Sequence, residues 1–298
     1  MGQPGYFRTF AKYASLNVMG MIGLSCYILA DTFFVSQGMG TDGLAALNLA
    51  IPIYSFIHGS GLMIGMGGGT KYSIRQSQKD SDAANQTFTH ALLLAAVFAA
   101  AFVLAGIFLP GKIAALFGAQ GAVFEMSQTY LRVILLFAPA FLLNNVLLCF
   151  VRNDGAPQLA MAGMIGGSLS NVVLDWVFIF PCGWGIFGAA FATGLAPMIS
   201  MAILSPHWLR RKNGFRPVAC RVSARICGGI LSSGVPSLVT EVSSGVVIIV
   251  FNSILMDLAG NTGGAAHGVI ASLSLVVIVV YTGIPHGVEP SIRRRHRR

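Results

Sequence analysis

The chain has 298 residues, of which 55% are hydrophobic and only 10% charged, with a mean hydropathy of +0.73. Soluble domains carry about 25% charged residues, so the composition excludes a water-soluble globular protein and predicts helical membrane spans. The net charge of +9 could suit nucleic acid, but no stacking platform or zinc spacing accompanies it, and no nucleic-acid partner is expected. The ten-residue alternating strands of an outer-membrane barrel are absent from the sequence as well.

A transmembrane helix needs about 20 apolar residues. The N-terminal stretch MGQPGYFRTFAKY is short and polar and precedes a full-length span without a small-residue cleavage site, so no cleaved signal peptide is expected. Spans are predicted over about Ala14–Ser36, Leu44–Gly67, His90–Leu109, Tyr130–Val151, Leu159–Phe180 and Ile186–Ser205. A basic connection, Pro206–Arg225, follows. A seventh span, about Ile226–Met256, contains Pro236 and is expected to bend or begin near it. An eighth covers about Ala265–Ile284.

Lys and Arg orient the spans. All of the 19 basic residues except Lys112 and Arg132 fall at the N-terminus, in the even-to-odd loops or in the C-terminal tail. This places both termini on the cytoplasmic side of the cell inner (plasma) membrane. Most acids, Asp42, Asp80, Asp82, Glu125, Asp154, Asp257 and Glu289, fall in loops or at span ends and are expected to be solvated. Asp31, Asp175 and Glu241 remain inside spans. A carboxylate at the centre of a bilayer helix costs roughly 2.5–3.5 kcal/mol on insertion scales and marks a functional candidate.

The stretch GGSLSNVVLDWVFIF, Gly166–Phe180, carries two of the candidates. Asn171 and Asp175 are four residues apart and so share a helix face. The fifth and sixth spans form a hairpin through Cys182, Gly183, Trp184 and Gly185, which brings Thr193 to the depth of Asp175. Asp31 lies towards the outer end of the first span, with Tyr27 one turn earlier. These hard oxygen donors suit a proton or Na⁺ rather than a soft metal. Two close carboxylates in low dielectric resist joint ionisation, so they share a proton or hold a cation. The bland alternative is a polar cluster that fixes helix packing. Glu241 sits in PSLVTEVSSG, where Ser237, Thr240, Ser243 and Ser244 could line a groove. It could draw in cationic solutes, bind a second coupling ion, or simply sit near the lipid boundary or be paired across the interface.

A shift of 220 residues places Gly40 on Gly260, Gly43 on Gly263, Ala45 on Ala265, Ala46 on Ala266, Ile64 on Ile284 and Gly67 on Gly287. Six spans followed by a restart imply two homologous bundles in parallel orientation. The expected organisation is an all-α membrane protein with a six-helix N-lobe over 1–205, a linker over 206–225 and the first two helices of a C-lobe over 226–298. The end, SIRRRHRR, has no further apolar run, and the chain is expected to be a partial product.

Other features have ordinary readings. The run Gly65–Gly69 follows no strand and is expected to serve close helix packing. The five cysteines show no ligand spacing, the methionines fill core space, and His58, His90 and His267 have no ligand pattern. No nucleophile–base pair is legible, so enzyme activity is not expected.

The segments ADTFFVSQGMGTDGLAALNLAIPI and FVRNDGAPQLAM resemble the MATE (multidrug and toxic compound extrusion) family. Asp31, Asn171, Asp175 and Thr193 match that family's N-lobe cation site in type and spacing, and Glu241 resembles the acid of its seventh span. The resemblance implies a twelve-span, two-lobe antiporter that expels drug-like, often cationic compounds in exchange for H⁺ or Na⁺, with no cofactor beyond the coupling ion. Its implied partners are membrane lipid, small organic cations or drugs, and the missing C-lobe helices of a full-length form. The family's last four spans are absent, and the first span has no proline, so a proline-bent first helix does not carry over. A non-transporting fragment and a lipid-linked saccharide flippase are the alternatives; acidic rather than basic residues inside the spans disfavour the flippase.

Overall fold

The computed structural model describes the backbone of residues 4–209, 213–247 and 250, with side chains from residue 29 onward. Within them the elements are all helices: α1 Pro4–Ser77, α2 Ser81–Phe108, α3 Pro110–Leu116, α4 Gly121–Leu136, α5 Ala138–Asn153, α6 Pro157–Ile179, α7 Gly185–Leu204, α8 Pro206–Leu209 and α9 Ala224–Val247. Five are long and apolar enough to cross a membrane, and the α4/α5 pair makes a sixth crossing if taken as one span. The end of the predicted seventh span, the eighth span Ala265–Ile284, the repeat partners from Gly260 to Gly287 and the basic tail lie outside the described residues.

The first two predicted spans are the two limbs of α1. At Gly40 the backbone adopts φ 66° and ψ −152°, a region glycine enters without a Cβ penalty. The first limb runs alongside α6 in the same direction, with Gly38 against Ile179 and Phe34 edge-on to Phe180 at 6.0 Å. The second limb runs back along α5, where Tyr54 meets Phe141, Gly65 meets Cys149 and Gly69 meets Asn153. The chain therefore reverses at Gly40.

The predicted fourth span, Tyr130–Val151, begins nine residues too late and is not one rod. Helix starts at Gly121, and α4 and α5 meet at a 47° bend. Pro139 explains the bend, because it has no N–H to give the preceding turn and its ring crowds that turn's carbonyl. Tyr130 therefore lies about two and a half turns below the start of α4.

Two apolar layers fill the bundle. Near Gly40 the core joins Val35, Leu47, Leu131, Ile134, Ile179 and Ala189. Towards Ser77 it joins Ile64, Phe88, Leu142, Phe150, Leu204 and Ile230. Small residues let the backbones close up. A Cβ on Gly67 would collide with the Ile230 carbonyl, and one on Gly234 with the Met63 carbonyl. Gly59 faces Leu238 and Glu241, so the second limb of α1 and α9 form one long antiparallel seam. The Gly65–Gly69 run is packing surface, as its sequence suggested.

The connection between α8 and α9 is fastened down. Asp154, expected to be a solvated loop charge, has a side chain only 6% exposed. Its Oδ1 accepts from the Tyr72 hydroxyl at 2.5 Å, and its Oδ2 accepts from Gly214 N–H at 2.7 Å and faces His207 Nε2 at 2.9 Å. Further on, Arg216 N–H donates to Asn85 Oδ1 and Val218 N–H to Thr89 Oγ1. Ser223 N–H donates to His90 Nε2 at 2.9 Å, while His90 Nδ1 faces the Gln86 carbonyl at 2.6 Å. A carbonyl on one nitrogen and an N–H on the other define the neutral Nδ1–H tautomer. Phe215 is buried among Tyr72, Phe88, Phe150, His207 and Trp208. This strap, 213–223, therefore lies along α2 and the α5–α6 loop.

Candidate functional site

The α6/α7 hairpin builds the site. Gly163 and Gly167 on α6 pack against Leu204 and Ser200 on α7, and Gly188 packs against Phe178. That antiparallel register sets Asn171 and Asp175 opposite Thr193. Asn171 and Asp175 are fully buried, and Thr193 and Asp31 are nearly so. In the amide orientation that satisfies both its ends, Asn171 donates Nδ2–H to Asp175 Oδ2 at 3.0 Å and accepts from the Thr193 backbone N–H at 3.1 Å. The Thr193 hydroxyl donates to the Ala189 carbonyl at 3.0 Å.

Asp31, on the first limb of α1, comes close enough to Asp175 for their charges to interact. The Tyr130 side chain, from α4, stands close enough to Asp31, Asp175 and Thr193 to interact with them electrostatically. Each carboxylate keeps one buried oxygen, Oδ1, without a hydrogen-bond partner among the described residues. An unmade hydrogen bond on a buried charged group costs about 1–3 kcal/mol or more. The cluster is therefore under-coordinated in a way that a proton or a small hard cation at the carboxylate pair would relieve.

The structure thus brings together Asp31, Asn171, Asp175 and Thr193. The Tyr27 side chain lies outside the described residues. Tyr130 is a member that the sequence reading missed. The only signal was a tyrosine one turn beyond Ser127, and the polar residues Glu125, Gln128 and Arg132 around it led to the late span boundary that concealed it.

Glu241 is not part of this cluster. It sits on α9, with Oε2 3.5 Å from Nδ1 of His58 on α1. The His58 ring stacks on Tyr54 with centroids 5.9 Å apart and planes 12° apart, and Tyr54 meets Phe141 edge-on at 5.6 Å. Of the hydroxyls expected to line a groove, Thr240 donates to the Pro236 carbonyl and Ser244 to the Thr240 carbonyl. The helix α9 runs through Pro236 rather than starting at it.

Comparison with known proteins adds the following. The MatE family model matches residues 18–177. The multidrug export protein MepA of Staphylococcus saprophyticus is 26% identical over 288 residues, which is 96% of this chain and 64% of that protein. MepA of Staphylococcus aureus is 23% identical with the same coverage. A MATE transporter solved in complex with MaL6 superposes with a TM-score of 0.86 at 26% identity, over 94% of this chain and 63% of its own. An outward-facing multidrug resistance MATE family transporter of the MOP superfamily gives 0.81 at 28%, over 94% and 62%. The chain spans about 64% of the length of the curated relatives it matches.

Proposed function

Since the chain belongs to the MatE family of multi-pass membrane transporters, we propose that it serves secondary active efflux of drug-like organic, often cationic, compounds in exchange for H⁺ or Na⁺. The observation that carries this reading is the buried Asp31–Asp175 pair with its two unpartnered Oδ1 atoms. The role of the MepA relatives in multidrug export supports the efflux half.

In this reading Asp31, Asn171, Asp175, Thr193 and Tyr27 hold the coupling ion, and Glu241 is a second acidic site. No covalent chemistry and no cofactor is required. Asn171 ties down one oxygen of Asp175 and leaves the other without a partner among the described residues. Loading the pair with a proton or Na⁺ removes the repulsion between the first limb of α1 and α6, and unloading restores it. An ion that favours one arrangement of the helices over the other can drive the transition. A pH difference of one unit supplies about 1.4 kcal/mol, and each charge crossing 100 mV about 2.3 kcal/mol. Either shifts a two-state equilibrium about tenfold or more. The distribution of Lys and Arg favours termini on the cytoplasmic side of the plasma membrane.

The test is ethidium extrusion from cells expressing the protein or its Asp175→Asn form at matched membrane abundance. The expected result is loss of extrusion in the variant. Undiminished extrusion removes the pair from the coupling mechanism.

A further inference from the structure

Arg152, in the last turn of α5, is a cation without an anion. Among the described residues no carboxylate oxygen lies within 4.0 Å of its guanidinium. Its Nη2 reaches only sulfur, Met66 Sδ at 3.3 Å and Cys149 Sγ at 3.6 Å. Its Nε is buried and has no acceptor. Sulfur accepts weakly, whereas a guanidinium presents a planar fork of N–H donors and no acceptor of its own. The nearest acid in sequence, Asp154, is already engaged by Tyr72, Gly214 and His207. The side chain is also held in place. Gly65 packs against Cys149 and Gly69 against Asn153, so α1 and α5 close up on both sides of Arg152.

A second unpartnered donor stands nearby on α1. Ser73 lies about two turns beyond Met66 on the same helix face. It is 8% exposed, and its Oγ has no partner among the described residues. The hydroxyls of Ser60, Ser170 and Thr193 each donate to the carbonyl one turn back in their own helix. Ser73 does not.

A guanidinium fork and a hydroxyl, with no acid between them, match a tetrahedral oxyanion. The fork takes two of its oxygens and the hydroxyl a third. Their level in the bundle favours the same ligand. Arg152 stands at the end of α5 and Ser73 one turn short of the end of α1 at Ser77, where a span meets the headgroup layer. We propose that Arg152 and Ser73 form a seat for a phosphate group, carried by an anionic phospholipid or free in solution. The seat goes beyond the efflux reading and does not depend on it. A phosphate held here would neutralise the guanidinium and tie the second limb of α1 to α5. Basic residues near a membrane attract anionic headgroups in general, and that attraction needs no particular side chain. The seat, in contrast, requires these two.

The experiment is native mass spectrometry of the purified full chain in nonionic detergent micelles, titrated with phosphatidylglycerol, phosphatidylcholine or inorganic phosphate. The expected result is saturable binding of phosphatidylglycerol in preference to phosphatidylcholine. Arg152→Gln should weaken it about tenfold or more, and Ser73→Ala about threefold. Arg152→Lys keeps the charge, loses the fork and should weaken it several-fold. Lys112→Gln, at the other end of the bundle, should leave it unchanged. Thermal melting reports folding, and Arg152→Lys with Ser73→Ala carries the test if Arg152→Gln does not fold. Parent-like affinity in the folded Arg152 and Ser73 variants overturns the proposal. So does equal weakening by Lys112→Gln, which marks unspecific attraction, and so does the lack of saturable binding by any of the three ligands. Inorganic phosphate bound through Arg152, with no preference between the two lipids, keeps the seat and assigns it to free phosphate.

Discussion

Replacing Asp154 by Ala should release the strap without unfolding the bundle. The carboxylate serves three groups: the Tyr72 hydroxyl, the Gly214 amide and the His207 ring. A hydrogen bond to a charged group contributes about 1.5–3 kcal/mol, so the Gly214 amide should exchange with solvent roughly ten- to a hundredfold faster. Removing one side of a buried charged contact costs about 3–5 kcal/mol in total, shared here among the three donors. The Arg216 and Val218 amides have their own anchors on Asn85 and Thr89 and should accelerate much less. Asp154→Asn keeps one acceptor oxygen and should fall between. Hydrogen exchange read by mass spectrometry in micelles, over peptides covering 213–223 and α9, measures all of this. Unchanged exchange at Gly214 in the Ala variant refutes the strap. So does uniform acceleration from 213 to 247, because that means the segment is held only by the fold as a whole.

Three further outcomes follow from the packing and the carboxylate pair. Tyr130→Phe deletes a hydroxyl beside the carboxylate pair and should weaken Na⁺ or proton binding about fivefold if that hydroxyl supplies one hydrogen bond of about 1 kcal/mol; calorimetry on the purified chain reads it, and unchanged affinity removes Tyr130 from the site. A pair that shares a proton must release it when Na⁺ binds, so Na⁺ affinity should rise with pH and Asp175→Asn should abolish the proton release. A pH-indicator dye in weakly buffered micelles follows that release, and Na⁺ binding without it refutes proton sharing. Gly67→Ala drives a methyl into the Ile230 carbonyl and should cost about 1–3 kcal/mol; a thermal melt no lower than the parent's contradicts the seam between α1 and α9.

The helical class and the shared depth of Asn171, Asp175 and Thr193 were legible because both signals are local, whereas Asp31 stood out only as an acid inside an apolar span. Long apolar runs set the class, and an i to i+4 spacing with a short hairpin set the register of α6 against α7. Tyr130 was not legible, because Glu125, Gln128 and Arg132 made the first turns of α4 look like a loop and put the tyrosine at the end of the span instead of inside it. Pro139 could have announced the bend, but the apolar residues on both sides of it read as one span. His58 carries no pattern at all, since its partner on α9 is distant in sequence and only the seam brings them together. Asp154 failed for a related reason. A loop acid looks solvated until a later segment folds back over it, as Gly214 and Phe215 do.

The strap ends at Ser223 and α9 begins at Ala224, so the tether has no slack to absorb a swing of that helix. Any tilt of α9 against α2 must pivot at its first turn. Glu241 stands about 25 Å further along, at 1.5 Å per residue. A swing of roughly ten degrees would therefore carry its carboxylate about 4 Å, further than the whole gap to His58. Small angular play at one face of the membrane becomes, by leverage, the making or breaking of a contact deep within it.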